Sequence, residues 1–211
     1  MEEAVRMKIS VPKSNVIFFS ILIFFLLLNG QDLPGNKQAL AEELMDQDYF
    51  TADQNPETRQ LLHENEAYHL NKRVLNDFNA KRFDIVRDDL HYILKRFPNH
   101  PQALMLLGSV AILMKEPSLA VSYYEKALGL YPQYAIIHAQ YGSYLIDIGQ
   151  VDLSIARLDR AIRINPKYAF AHGRLAEAYY KNGNLELARQ EAERAKALGY
   201  KGEILSQILG E

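Results

Sequence analysis

The sequence predicts an all-α fold of stacked antiparallel helix pairs, and three observations carry that prediction. Similar text recurs every 34 residues: "RDDLHYILKRFP" ends at Pro98, "VSYYEKALGLYP" at Pro132 and "IARLDRAIRINP" at Pro166. Turn-forming residues split each period in two, at "NAKRF" (from 79), "KEPS" (115), "DIGQ" (147) and "KNGN" (181). Between the turns, apolar residues recur at spacings of three and four, as in Leu104, Leu107, Ala111 and Met114, which is the period of a helix and not of a strand. A fixed period of this size marks helical hairpins that bury a shared core only when three or more stack.

The elements follow in chain order. Residues 1–30 hold a thirteen-residue apolar run, Val16 to Leu28, behind Arg6, Lys8 and Lys13. This is the layout of an export signal. As a helix the run spans about 20 Å against a hydrocarbon core of roughly 30 Å. Residues 1–30 are therefore read as a signal peptide or an N-terminal membrane anchor, with cleavage sites after Gly30 or Ala41 and with Met1 or Met7 as the start. Either reading puts the remainder outside the cytoplasm, periplasmic or anchored in the inner membrane. Residues 31–55, rich in polar residues with Pro34 and Gly35, read as a linker. Asn55, Pro56 and Glu57 supply a cap, a first-turn proline and an acid for the helix dipole, and open a helix expected to run to about Ala80. The helical domain is 56–211, with periods at about 67–100, 101–134, 135–168 and 169–202 and a capping helix at 203–211, where Ile204, Leu205, Ile208 and Leu209 form one stripe.

These residues resemble the tetratricopeptide repeat (TPR) family. The second period has Leu104, Leu107, Gly108, Ala111, Ala120, Tyr124, Ala127 and Pro132 at the family's positions; the third has His138, Tyr141, Gly142, Leu145, Ser154, Leu158, Ala161 and Pro166. The fourth ends on Tyr200 in place of Pro, and the first carries Arg73 and Asp77 where apolar residues belong, attributed to a half-solvated end unit. The resemblance implies a right-handed superhelix, a TPR solenoid, of the kind found in exported bacterial proteins. The small residues are expected to let neighbouring helices approach closely.

Chemistry is weakly signalled. The chain has no cysteine, which excludes disulfides, thiolate metal sites and thiol catalysis. A formal charge of −2 gives no basic field for nucleic acid. His63 and His69 are six residues apart, so they miss the four-residue spacing of a helical zinc site and read as solvent-facing. His138 and His172 read as core residues, and Asp88 and Asp89 as a solvated face. The expectation is no enzyme, no metal and no cofactor.

By the family resemblance, first helices line a concave groove, and the expected groove residues are Tyr68, Asn71, Leu75, Phe78, Met105, Ser109, Ile112, Ile136, Ser143, Phe170, Arg174, Glu177 and Tyr180. Some members grip acidic peptide tails with a lysine, asparagine and arginine clamp. Here Asn71, Leu75, Gln140 and Phe170 depart from it and only Arg174 matches. The expected function is a protein-binding scaffold, taking a partner helix or extended peptide in envelope complex assembly, with membrane contact only through the N-terminal segment. The alternatives are a self-associating structural protein, using an exposed "SYY" at Ser122 to Tyr124, and an accessory subunit of an envelope enzyme or secretion complex. Arg157 and Glu191 are expected on the outer face.

Overall fold

The computed structural model describes residues 44–210. The expected signal or anchor, the candidate cleavage sites and residues 31–43 of the expected linker lie outside the described residues. Residues from Asp46 onward form one compact unit. Among the described residues there is no strand.

The described residues form ten α-helices: α1 (Pro56–His69), α2 (Lys72–Asn79), α3 (Phe83–Arg96), α4 (Pro101–Met114), α5 (Pro117–Leu130), α6 (Ala135–Asp147), α7 (Val151–Ile164), α8 (Ala169–Lys181), α9 (Leu185–Ala197) and α10 (Ile204–Leu209). Prolines act as the spacing demands: Pro56, Pro101 and Pro117 open helices, while Pro98, Pro132 and Pro166 lie just past α3, α5 and α7. Within each pair one turn is built four times. The N–H of residues 81, 115, 149 and 183 donates three residues back (Phe78, Ile112, Ile146, Tyr180; 3.0–3.1 Å), and the next N–H donates five back at 2.8–2.9 Å. Its central residue is left-handed in every copy, with φ 60° to 79°.

The expected helix from 56 to about 80 is broken. Leu70 leaves helical geometry (φ −138°, ψ 49°), and Asn71 caps a new helix by accepting from Arg73 N while its own amide donates to Ala67 O at 2.7 Å. The polar residues of this first unit are also not a concession to solvent. Asp77 is 5 % exposed and is held by Arg73 at 3.2 Å and by Arg82; Asp89 accepts from Arg73 at 2.8 Å and meets the His69 ring at 2.7 Å. Asp89 therefore has converging partners where a solvated face was expected, whereas Asp88 is exposed beside Arg87.

Within the expected 31–55 linker, residues 46–54 are docked on the repeats as a strap that ends in a 3-10 turn, Tyr49–Gln54. Gln47 N donates to Arg96 O, Tyr49 N to Asn99 Oδ1 at 2.9 Å, and Asn99 and the Tyr134 hydroxyl donate to the Asp48 carboxylate at 2.7 and 2.6 Å. Tyr131 donates to Asp46 O, and Lys126 pairs with the Asp46 carboxylate at 2.6 Å. Phe50 lies 4.2 Å from the Tyr134 ring and Tyr49 lies 4.5 Å from His100. Composition marked this stretch as polar, but its polar groups are aimed at the loops after α3 and α5.

The core runs along the stack, from Leu90, Ile93, Leu104 and Leu107 through Tyr124, Tyr141 and Leu145 to Leu158 and Leu175. Tyr124 is buried and stacks on Tyr141 at 5.1 Å; its hydroxyl pKa is pushed up by burial. That removes most of the expected exposed "SYY" patch, because Tyr123 is half-buried against His91 and only Ser122 is exposed. A Cβ at Gly142 would lie 2.6 Å from Leu158, so close packing requires glycine there. The C-terminal stripe buries Leu205 and Ile208 against Ala188, Ala192 and Ala195.

Candidate functional site

First helices of successive units pack on each other, α4 on α6, α6 on α8 and α8 on α10, while second helices make no comparable contact. That asymmetry curves the stack and makes the first-helix face concave. At the N-terminal end the pattern lapses: α2, short and set off from α1 by the break at Leu70, does not pack on α4 to the same degree.

The consequence is an open apolar surface. Tyr68, Leu75, Met105 and Ile112 are exposed at 69, 54, 57 and 40 %. Leu113, which the sequence reading omitted, is exposed at 51 %. Phe78 and Ile136 are half-buried at its edges, with Phe78 edge-on to Phe83 at 5.7 Å. Ser109 is exposed and donates back to Met105 O at 3.4 Å; Asn71 is spent as the α2 cap. Helix α4 carries no charged residue, so it is apolar on both the core side and the concave side. An all-round apolar helix is the mark of a buried one.

The C-terminal half of the same face is occupied by the chain itself. The Tyr200 ring lies on Gly173, where an added Cβ would come within 2.2 Å of it, and Tyr200 meets Phe170 edge-on at 6.2 Å. Burial raises the Tyr200 hydroxyl pKa. Gln207 of α10 donates to the Tyr180 hydroxyl at 3.0 Å. Arg174 donates to Glu177 and Asp147 at 2.7 Å and to Ser143 O at 3.1 Å, tying α8 to α6. The expected groove residues thus fall in two groups, an open one from Tyr68 to Ile112 and a self-filled one from Phe170 to Tyr180. The one signal for Tyr200 was its place in the proline register.

The histidines sort by surroundings. His63 is exposed, whereas His69 is half-buried between Asp89 and Tyr92, 4.1 Å away, and is not solvent-facing as expected. His138 and His172 are buried, and Nε2 of each donates to the carbonyl of the proline six residues earlier, Pro132 at 3.0 Å and Pro166 at 2.9 Å. Burial lowers the His138 pKa. His172 Nδ1 lies 2.6 Å from the Glu191 carboxylate. Glu191 is itself buried and bonded to Arg194, which corrects its expected place on the outer face. His100 caps α4: its Nδ1 accepts from Ala103 N and its Nε2 donates to Glu66 at 3.1 Å. Among the described residues no group of three or more His, Asp or Glu converges as a metal-ligand set.

Two family models match, one described as tetratricopeptide repeat over residues 73–135 and one as TPR repeat over 142–183. The chain is a tetratricopeptide repeat protein. Among solved structures, Pseudomonas aeruginosa pilF is similar at 19 % identity and a TM-score of 0.56, covering 70 % of this chain and 67 % of that one. MamA is similar at 24 % identity and 0.52, covering 64 % of this chain and 79 % of that one. At such identities the likeness establishes the fold alone. No curated protein matches. In this tetratricopeptide repeat protein the histidine-to-proline bonds of the third and fourth units fix each first helix to the preceding loop, so both rings serve the scaffold.

Proposed function

We propose that this protein is a non-catalytic scaffold that binds a partner protein on the open half of its concave face, in assembly of an envelope complex. The observation that carries the reading is α4: a helix without charge, exposing Met105, Ile112 and Leu113 in a chain that covers the equivalent surface further along with its own Tyr200 and α10. A flexible methionine among aromatic and branched side chains gives adaptable contact to a helix or extended segment. The envelope location rests on the Val16–Leu28 run behind three basic residues. Among the described residues no helix is long and apolar enough to cross a membrane.

The test is site-specific photocrosslinking in the native envelope, with the reactive group at Tyr68 or Met105 and controls at exposed Arg160 and Glu193 on the second helices. A discrete partner captured from the first pair and not from the controls supports the reading. Equal capture from both faces, or self-crosslinks alone, replaces it with self-association. Protease accessibility of the repeats in intact spheroplasts tests the export side, and protection there overturns it.

A further inference from the structure

The four intra-pair turns share one hydrogen-bond pattern, yet they differ at the left-handed residue. Gly149 and Gly183 hold it in the third and fourth units at φ 79°, where glycine is unstrained. Lys81 and Lys115 hold it in the first and second units at φ 60° and 61°. A lysine there is sterically disfavoured, and the turn geometry does not call for one, because glycine makes the same turn twice downstream. Both lysines are exposed and neither has an ion-pair partner among the described residues. Both stand three residues after groove positions, Phe78 and Ile112.

The other charges around the open half sharpen the pattern. Arg73 and Arg82 are consumed by Asp77 and Asp89, Asp147 is held by Arg174, and α4 has none. Lys72, at the start of α2, is a third exposed cation. The acid beside Lys115 is Glu116, whose field reaches Arg87 on α3; that guanidinium is held above its ordinary pKa chiefly by Asp88 and to a lesser degree by Glu116. By register, the open apolar surface therefore has three exposed lysines near it that are in no ion pair among the described residues, Lys72, Lys81 and Lys115, against one exposed acid, Glu116, in a chain whose net charge is negative.

We infer that the occupant of the open half is an acidic amphipathic segment of the partner, its apolar side chains seated on Leu75, Met105 and Ile112 and its carboxylates meeting Lys81 and Lys115. This rests on the groove reading above and specifies the partner's chemistry. The carboxylates are read at the turn rim and not by a clamp on the inner helices, since Arg174 is already bonded. Long-range attraction to the rim speeds encounter, and the apolar surface retains the bound segment.

The test uses the full chain and two synthetic amphipathic helical peptides with the same leucine stripe, one flanked by glutamates and one by lysines, measured by fluorescence anisotropy. The glutamate peptide is expected to bind at least tenfold tighter at low salt, with the difference shrinking as salt rises. Lys81→Gly with Lys115→Gly should abolish most of that preference while leaving the melting temperature unchanged or higher, because glycine suits the turn. Lys81→Gln with Lys115→Gln removes the charge and keeps the strain, and should lose the same preference. If both peptides bind alike, the acidic-partner inference is wrong and the groove reading stands. If neither binds, both are wrong. If the glutamate preference survives the double substitutions, the turn lysines are not its source and the inference fails.

Discussion

The first two and last two units of this protein use one scaffold to different ends. At one register position the inner face presents Met105, more than half exposed, in the second unit and Gly173, covered by Tyr200, in the fourth. At another, the intra-pair turn carries lysine in the first two units and glycine in the last two. The C-terminal half is completed by its own chain; the N-terminal half is left open, with Lys81 and Lys115 exposed at its turns. Repeat register alone therefore says where a residue stands, and the neighbour that covers it decides whether it is available.

The strap offers the largest effect with which to break the comparison, since it clasps the loops of the open half only. Asp48→Ala removes the acceptor for Asn99 and for the Tyr134 hydroxyl. Hydrogen bonds to a charged group contribute about 1.5–3 kcal/mol each, so a loss of about 3 kcal/mol in urea unfolding is expected. Amide exchange should quicken across α1 to α4 and stay unchanged in α8 and α9. Uniform acceleration would mean that the two halves unfold as one body.

A smaller effect comes from making the closed half resemble the open one. Gly173→Met drives a side chain into the Tyr200 ring, and overpacking of this kind costs about 1–3 kcal/mol. The expelled Tyr200 and α10 should expose Phe170 and Tyr180, detected as increased binding of an apolar dye. Unchanged stability with no new dye binding would show that Tyr200 is not a fixed cover.

The pH dependence is expected in both halves, with one sign. Burial holds His100 below its ordinary pKa, outweighing the nearby Glu66, and the cap geometry agrees because Nδ1 must stay unprotonated to accept from Ala103 N. A folded value below the unfolded one, about 6.5, gives stability that is fully present above pH 6.5 and is lost as pH falls through the folded value. Buried His138 has the same sign. The expected slope is at most about 1.4 kcal/mol per pH unit for each ring. His100→Asn retains a capping side chain and should remove part of that slope. A slope unchanged by the substitution would assign it elsewhere.

The solenoid was legible because proline, glycine and the apolar spacing repeat without insertion across 34-residue periods. The strap was not, since Asp48, Tyr49 and Phe50 carry no period and their partners Asn99 and Tyr134 lie far along the chain. Asp77 and Asp89 misled for a related reason: a carboxylate in sequence reads as solvated until its arginines are placed around it. The groove was half legible. Tyr68, Leu75, Met105 and Ile112 followed from register, but the cover over Gly173 is Tyr200, at the end of the fourth period where the register leads to proline, and spacing does not say that its ring folds back on the inner face.

The smallest effect on stability bears most on the contrast. Met105 is 57 % exposed, so Met105→Ala should change unfolding free energy by less than about 0.5 kcal/mol, as for surface positions generally. Its cost belongs to the complex: an apolar anchor at the centre of a docking surface is expected to lose about tenfold in affinity, or about 1.4 kcal/mol, when truncated. The informative quantity is the ratio of the two effects, measured on one preparation by urea unfolding and by binding of the glutamate-flanked peptide. A residue of the open half that packs the scaffold moves both together. A residue kept for a partner moves binding alone, and if Met105→Ala lowers stability as much as binding, the open half is packing and not a site.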